Sequence, residues 1–153
     1  MSSLKVREAF LGVAEEILPN QVMDLTGIFD ELEKDLEAYN INTNKTWVGV
    51  QFLPEVEVPV DIGSTNSRGS FRETGIVNFY ITTVARLGVH KLLLEKAELF
   101  TGKLRGSRIG TDKTVVVEAV TPAIFGKGAT LDFEGGYISC LVRADYYYDN
   151  LRK

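Results

Sequence analysis

Apolar positions at the start of the chain recur at helical spacing. Val6, Phe10, Val13 and Ile17, flanked by Leu4, Leu11, Ala14 and Leu18, make one stripe between Ser3 and Leu18. Ser3 suits an N-cap and Pro19 stops the helix. Asn20 to Leu25 reads as a connector. A second helix is expected from Thr26, with Phe29, Leu32, Leu36 and Tyr39 as its stripe and Asp30, Glu31, Glu33, Asp35 and Glu37 facing water. Asn40 to Lys45 reads as a loop.

From Thr46 the period changes to two. Thr46, Val48, Val50 and Phe52 alternate with Trp47, Gly49, Gln51 and Leu53, which predicts a strand interrupted by Pro54. Val56, Val58 and Val60 predict a shorter strand that Pro59 pushes to an edge, with Glu55 and Glu57 on its outer side. Asp61 to Thr74 is a long polar loop, and Gly75 to Val84 carries the strongest strand pattern so far. A helix is expected over about 89–101, with Val89, Leu92, Leu93, Lys96, Leu99 and Phe100 on one side. Gly102 then suits a left-handed C-cap, followed by a basic loop to Lys113. Thr114 to Val120 is a β-branched strand ended by Thr121-Pro122-Ala123, and Ala129 to Phe133 is a loop or short strand. The last strand runs from Tyr137 to about Tyr147. Ile138, Cys140, Val142, Ala144 and Tyr146 share one face, and Tyr137, Ser139, Leu141, Arg143 and Asp145 the other.

This order predicts an α+β fold: N-terminal helices, then a mainly antiparallel sheet packed by one central helix. The length of 153 residues fits a single domain, 1–153, with a helical segment over 1–45 and the sheet over 46–148. No stretch reaches the length of apolar residues that a membrane span needs. Met1 to Lys5 leads into an acidic helical pattern without an apolar signal core, so secretion by a signal peptide is not expected.

Scarce residue types narrow the chemistry. The single cysteine, Cys140, precludes an internal disulfide and fits a reducing compartment. With one histidine, His90, a zinc site of Cys and His ligands cannot form within one chain, and any triad would have to use His90 itself. Its neighbours Val89, Lys91 and Leu92 supply neither a nucleophile nor an orienting carboxylate, which favours a surface or capping role. Cys140 reads as a small buried hydrophobe. The Gly102 to Gly110 stretch follows a helix and precedes a strand, and no Lys-Ser/Thr closes it. A helix cap with a basic loop is therefore favoured over a phosphate cradle. Tyr146, Tyr147 and Tyr148 suit core and interface better than base stacking in a chain of net charge −4. No catalytic, cofactor-binding or metal-binding set is expected.

Charge is unevenly placed. Residues 1–40 hold three bases against nine acids, whereas residues 62–113 hold nine bases against four acids. The split fits two solvated faces, or a chain that associates head to tail through opposite potentials. Arg68, Arg72, Arg105 and Arg108 stand in what read as glycine-rich loops. They are the candidate interface donors, with Asp30, Glu31, Glu33, Asp35 and Glu37 as the available acids.

One ordered set of short motifs carries a resemblance over residues 47–148. It begins with Phe52-Leu53-Pro54 and a Val-rich strand, followed by a polar loop into Gly75-Ile76-Val77-Asn78-Phe79. A turn at Arg86-Leu87-Gly88 leads to a helix ending in Phe100-Thr101-Gly102, and the last strand closes in Arg143-Ala144-Asp145-Tyr146. In this order the chain resembles the tail terminator (tail completion) proteins of long-tailed bacteriophages. Members of that family carry one helix before the first strand, so the acidic second helix departs from their pattern. The resemblance implies a hexameric ring that caps the tail tube and joins the tail to the neck below the head. Its partners would be other copies of itself, the tail tube protein and a neck or connector protein. DNA would pass through the ring without sequence-specific binding. The resemblance implies no catalysis, cofactor or membrane contact, assembly in the bacterial cytoplasm, and a place in the virion at the tail-neck junction. The alternatives are another phage joining component, such as a head-tail connector or tail tube subunit, and a small ligand-binding or enzymatic domain with a pocket between helix and sheet.

Overall fold

A computed structural model describes residues 4–25, 40–42, 44–59, 71–84, 88–124 and 137–150. Helix α1 spans Leu4–Ile17 and buries Val6, Ala9, Phe10 and Ala14; of the expected stripe, Val6 and Phe10 are buried, Val13 and Ile17 are half-buried, and Leu4 beside it is exposed. Pro19 follows, and Asn20 turns the chain with a φ of 62°. Strand β1 (Val22–Asp24) comes next, where a connector was expected. It runs parallel to β2 (Trp47–Pro59), with Val22 to Asp24 opposite Val48 to Val50. The buried Gln21 amide fastens this start: its Nε2 donates to the Asn42 and Thr46 carbonyls, at 2.9 and 3.2 Å, and its Oε1 accepts from the Asn42 N–H at 3.0 Å. The expected second helix lies outside the described residues.

Strand β3 (Phe71–Val84) pairs antiparallel with β2 and with the last strand, β6 (Tyr137–Asn150). The expected loop over 61–74 is therefore corrected at its end: Phe71 to Thr74 belong to the strand. Helix α2 (Val89–Leu104) runs one turn beyond the expected end. Gly102 stays helical, and the left-handed glycine is Gly106, with φ 62°. Within this last turn the Thr101 Oγ1 donates back to the Ala97 carbonyl at 2.9 Å, and the Arg105 N–H closes the helix on the Thr101 carbonyl. The loop expected to reach Lys113 contains a short strand, β4 (Arg108–Ile109), which pairs with β5 (Val115–Ile124). The order across the sheet is β1-β2-β3-β6-β5-β4. Among the described residues only the β1–β2 pair is parallel, so the α+β class and the mainly antiparallel sheet are both found.

The covering of the sheet differs from the expected single central helix. α1 and α2 pack together on one face. Phe10 of α1 reaches the rings of Phe52, Phe79 and Tyr146, with centroids 6.4, 6.1 and 5.4 Å away. Phe100 of α2 meets Phe79 at 5.0 Å. Geometry explains the pair of helices. Six strands span about 24 Å at the usual strand spacing of about 4.8 Å, and one helix covers only about 10 Å. The inner face holds Val48, Val50, Phe52, Val77, Phe79, Ile81, Val115, Val117, Cys140, Val142, Ala144, Tyr146 and Tyr148.

Pro54 and Pro122 sit inside strands without ending them, and Pro59 is the last residue of β2. The Val48 N–H donates to the Gln21 carbonyl, and the Val50 carbonyl accepts from the Leu25 N–H, both at 2.9 Å. Even-numbered positions of this part of β2 therefore face the β1 side. At Pro54 the missing N–H would point to that side, past the end of β1, so no ladder bond is lost. A register shift between Pro54 and Val56 leaves Glu55 as the extra residue of a bulge. It inverts the phase, so Pro59 faces outward too. In β5 the Val117 N–H bonds the Ser107 carbonyl at 2.9 Å, and a second bulge leaves Glu118 extra. Pro122 then points away from β6. The strands expected to stop at Pro54 and Thr121 therefore continue to Pro59 and Ile124.

Candidate interaction surface

Among the described residues, β1 covers β2 only as far as Val50, and β4 covers β5 only at its first residues. The rest of β2, from Gln51 to Pro59, and the rest of β5, from Glu118 to Ile124, meet no further strand among those residues. The two open stretches lie at opposite sides of the sheet and at opposite ends of the strands. Prolines hold three of their outward positions, which blunts edge-to-edge strand addition.

The register brings one row of residues straight across the sheet. Arg108 faces Val116, Val116 faces Tyr147, Tyr147 faces Thr74, and Thr74 faces Val56. The row thus begins at a basic edge and ends beside the bulge that carries Glu55. Arg105 and Lys113 flank Arg108 in the chain, and all three are exposed. They make no ion pair among the described residues. Nearby lysines are engaged: Lys103 Nζ donates to Glu16 at 2.6 Å and Lys5 Nζ to Asp112 at 2.8 Å. Glu55 and Asp145, both exposed, line a hollow of about 270 Å³ together with Glu118, Thr74, Gly75, Ile76 and Tyr146. The acids of this hollow cross the sheet, from Glu55 at the β2 bulge through Asp145 of β6 to Glu118 of β5, and the basic corner stands at the far edge of the row from Glu55.

The residues singled out from the sequence separate into three groups. Arg105 and Arg108 stand at the basic corner. Arg72 stands in β3 rather than in a loop, and its guanidinium forks onto Asp149 of β6. Nε donates to Oδ1 at 2.6 Å and Nη2 to Oδ2 at 2.9 Å. Its charge also lies 4.3 Å from the centre of the Tyr147 ring. The Asp149 hydrogen bond, foremost, holds the Arg72 pKa above its ordinary value. Arg72 thus fastens two strand ends within the subunit. Arg68, Asp30, Glu31, Glu33, Asp35 and Glu37 lie outside the described residues.

Sequence reasoning placed Glu55 on an outer strand side but gave Glu55, Glu118 and Asp145 no joint role. The signal was the Pro54-Glu55 step, where a proline coincides with a break in the two-residue alternation. His90 is exposed near the start of α2. Cys140 is buried on the inner face with Sγ 3.8 Å from the Leu93 carbonyl, and burial pushes its thiol up to about 12. That places it far from a reactive thiolate. Tyr146 and Tyr148 belong to the core, while Tyr147 is half-buried on the other face. A second cleft, about 470 Å³, lies between α1 and residues 110–112, bridged by the Lys5–Asp112 pair. No helix among the described residues is long and apolar enough to cross a membrane.

No protein-family model matches the chain. No curated protein matches it either. Six chains of solved structures do match. One of them, a protein whose name states no function, is similar over 100% of this chain and 97% of its own, with a TM-score of 0.52 and 15% identity. At that identity the likeness shows the fold alone.

Proposed function

We propose that this chain is a structural virion protein without catalytic activity. Copies form a closed ring that caps the tail tube of a long-tailed phage and joins it to the neck. The observation that carries this reading is the pair of unlike sheet edges, one basic and one beside an acidic bulge, on a single row of the sheet. A two-fold dimer joined through one of these edges alone would set like charge against like charge. A head-to-tail contact sets opposite charges together, and repeated head-to-tail contacts close into a ring when the rotation from copy to copy closes. The motif order from Phe52 to Tyr146 adds the tail and neck as partners and the tail-neck junction as the location.

Native mass spectrometry tests the reading, on the purified protein and again with tail tubes present. The expected result is a ring of defined copy number, stable alone or formed on tube ends, with tubes so capped no longer elongating. A protein that stays monomeric in both settings overturns it.

A further inference from the structure

We propose that the basic corner of one copy, Arg105, Arg108 and Lys113, docks on the β2 bulge region of a second copy, centred on Glu55. This rests on the ring reading and deepens it.

Position is the first argument. Arg108 and the bulge stand on one register row, at opposite sides of the sheet. Four strand spacings put them about 19 Å apart, too far for them to pair within one subunit. A neighbour placed beside the sheet brings its own basic corner to the same height as this subunit's bulge. The second argument is that the groups are available. Arg105, Arg108, Lys113 and Glu55 are exposed and make no ion pair among the described residues, whereas Lys5, Lys103 and Arg72 are already held. Third, Pro54 and Pro59 remove outward N–H groups from the β2 edge, so the neighbour cannot simply extend the sheet. The contact is made by side chains, and Arg forks suit carboxylates. In the sequence Glu57 stands two positions beyond Glu55, so changing both reverses the charge that this stretch of chain carries.

Charge reversal at each edge separates this contact from the ring reading. Native mass spectrometry and light scattering are run at low and raised salt on the full chain. The four chains compared are wild type, Glu55→Arg with Glu57→Arg, Arg105→Glu with Arg108→Glu, and all four changes together. Each one-edge reversal should weaken self-association about tenfold or more, since like charges then face each other. The chain with both edges reversed should recover, because attraction returns with its sign exchanged. Damage to the fold could not produce that recovery. Mixing the two one-edge variants should also restore assembly, as alternating copies closing only in even-numbered rings. Wild-type association should weaken with salt. If wild type assembles and both one-edge variants assemble equally well, or if the fourfold variant fails to recover, this contact is wrong while the ring reading stands. If wild type never associates, alone or with tubes, both fall.

Discussion

The hydroxyl of Tyr146 occupies the space where a side chain on Gly75 would begin. A Cβ there would lie 2.9 Å from that oxygen and 2.8 Å from the Leu53 carbonyl. With the space open, Tyr146 crosses its partner strand and donates to the buried Glu73 carboxylate at 2.5 Å. Gly75 therefore fixes how a large aromatic residue and a buried acid share the inner face, directly behind the Glu55 bulge. Gly75→Ala should cost about 1–3 kcal/mol by overpacking. Tyr146→Phe removes a hydrogen bond to a charged group and should cost about 1.5–3 kcal/mol. Urea denaturation followed by circular dichroism measures both, and a wild-type midpoint for Gly75→Ala would refute the crowding.

Phe10 joins α1 to three aromatic residues of the sheet. Phe10→Ala should cost about 3–5 kcal/mol. That is a large share of the roughly 5–15 kcal/mol that holds a typical domain folded. Calorimetry should show a strongly lowered transition or none. A small loss would mean that α2 alone organises the core.

Cys140 should resist thiol reagents in the native protein. Burial holds its thiol near 12, so almost no thiolate exists at pH 8. Labelling with a chromogenic disulfide should be absent in buffer and complete in denaturant. Fast labelling of the folded protein would contradict the buried position on β6.

Asp112 supplies a pH dependence. The hydrogen bond from Lys5, then that from Thr114, lowers its pKa to about 2 from its ordinary value of 3.8. A depressed carboxylate stabilises the fold above its unfolded pKa, and that contribution is lost as pH falls through about 2. Lys5 is raised above 10.5, first by the same hydrogen bond, so its contribution is present below that value and fades as pH rises through the raised pKa. Asp112→Asn should flatten the acid limb between about pH 4 and 2. Denaturation midpoints across that range check it, and parallel curves for wild type and variant would refute the coupling.

Arg72 changes how the interface arginines should be tested. Reversing Arg68, Arg72, Arg105 and Arg108 together would also break the fork onto Asp149. Arg72→Glu alone should therefore loosen the ends of β3 and β6. Faster amide exchange at residues 71–73 and 148–149 would register it, whereas Arg105→Glu with Arg108→Glu should leave those amides unchanged.

The helical stripe of α1, the two-residue alternation of β3 and β6, and the class that follows from their order are legible in the sequence. Each rests on local periodicity: Phe10 and Ala14 face one way on any helix, as Cys140 and Val142 do on any strand. The paired position of Arg105 and Arg108 on a basic stretch was legible too. What an edge is, and which groups share a row, depends on strands far apart in the chain. Pro54 and Pro122 read locally as stops, and only the neighbour on each side decides that their missing N–H groups face an open flank. The three residues of β1 are too few to show a period, and they form a strand because β2 offers them a partner. Val58 continues the spacing of Val48 and Val50, yet it is exposed, because one extra residue at Glu55 shifts the register by one and turns Val58 to the other face. Arg72 looks like its neighbours in composition and is set apart by Asp149, which follows it by 77 residues. Periodicity reports the face a residue takes within its own element. The identity of the partner across the gap is a property of register, which the tertiary structure alone decides.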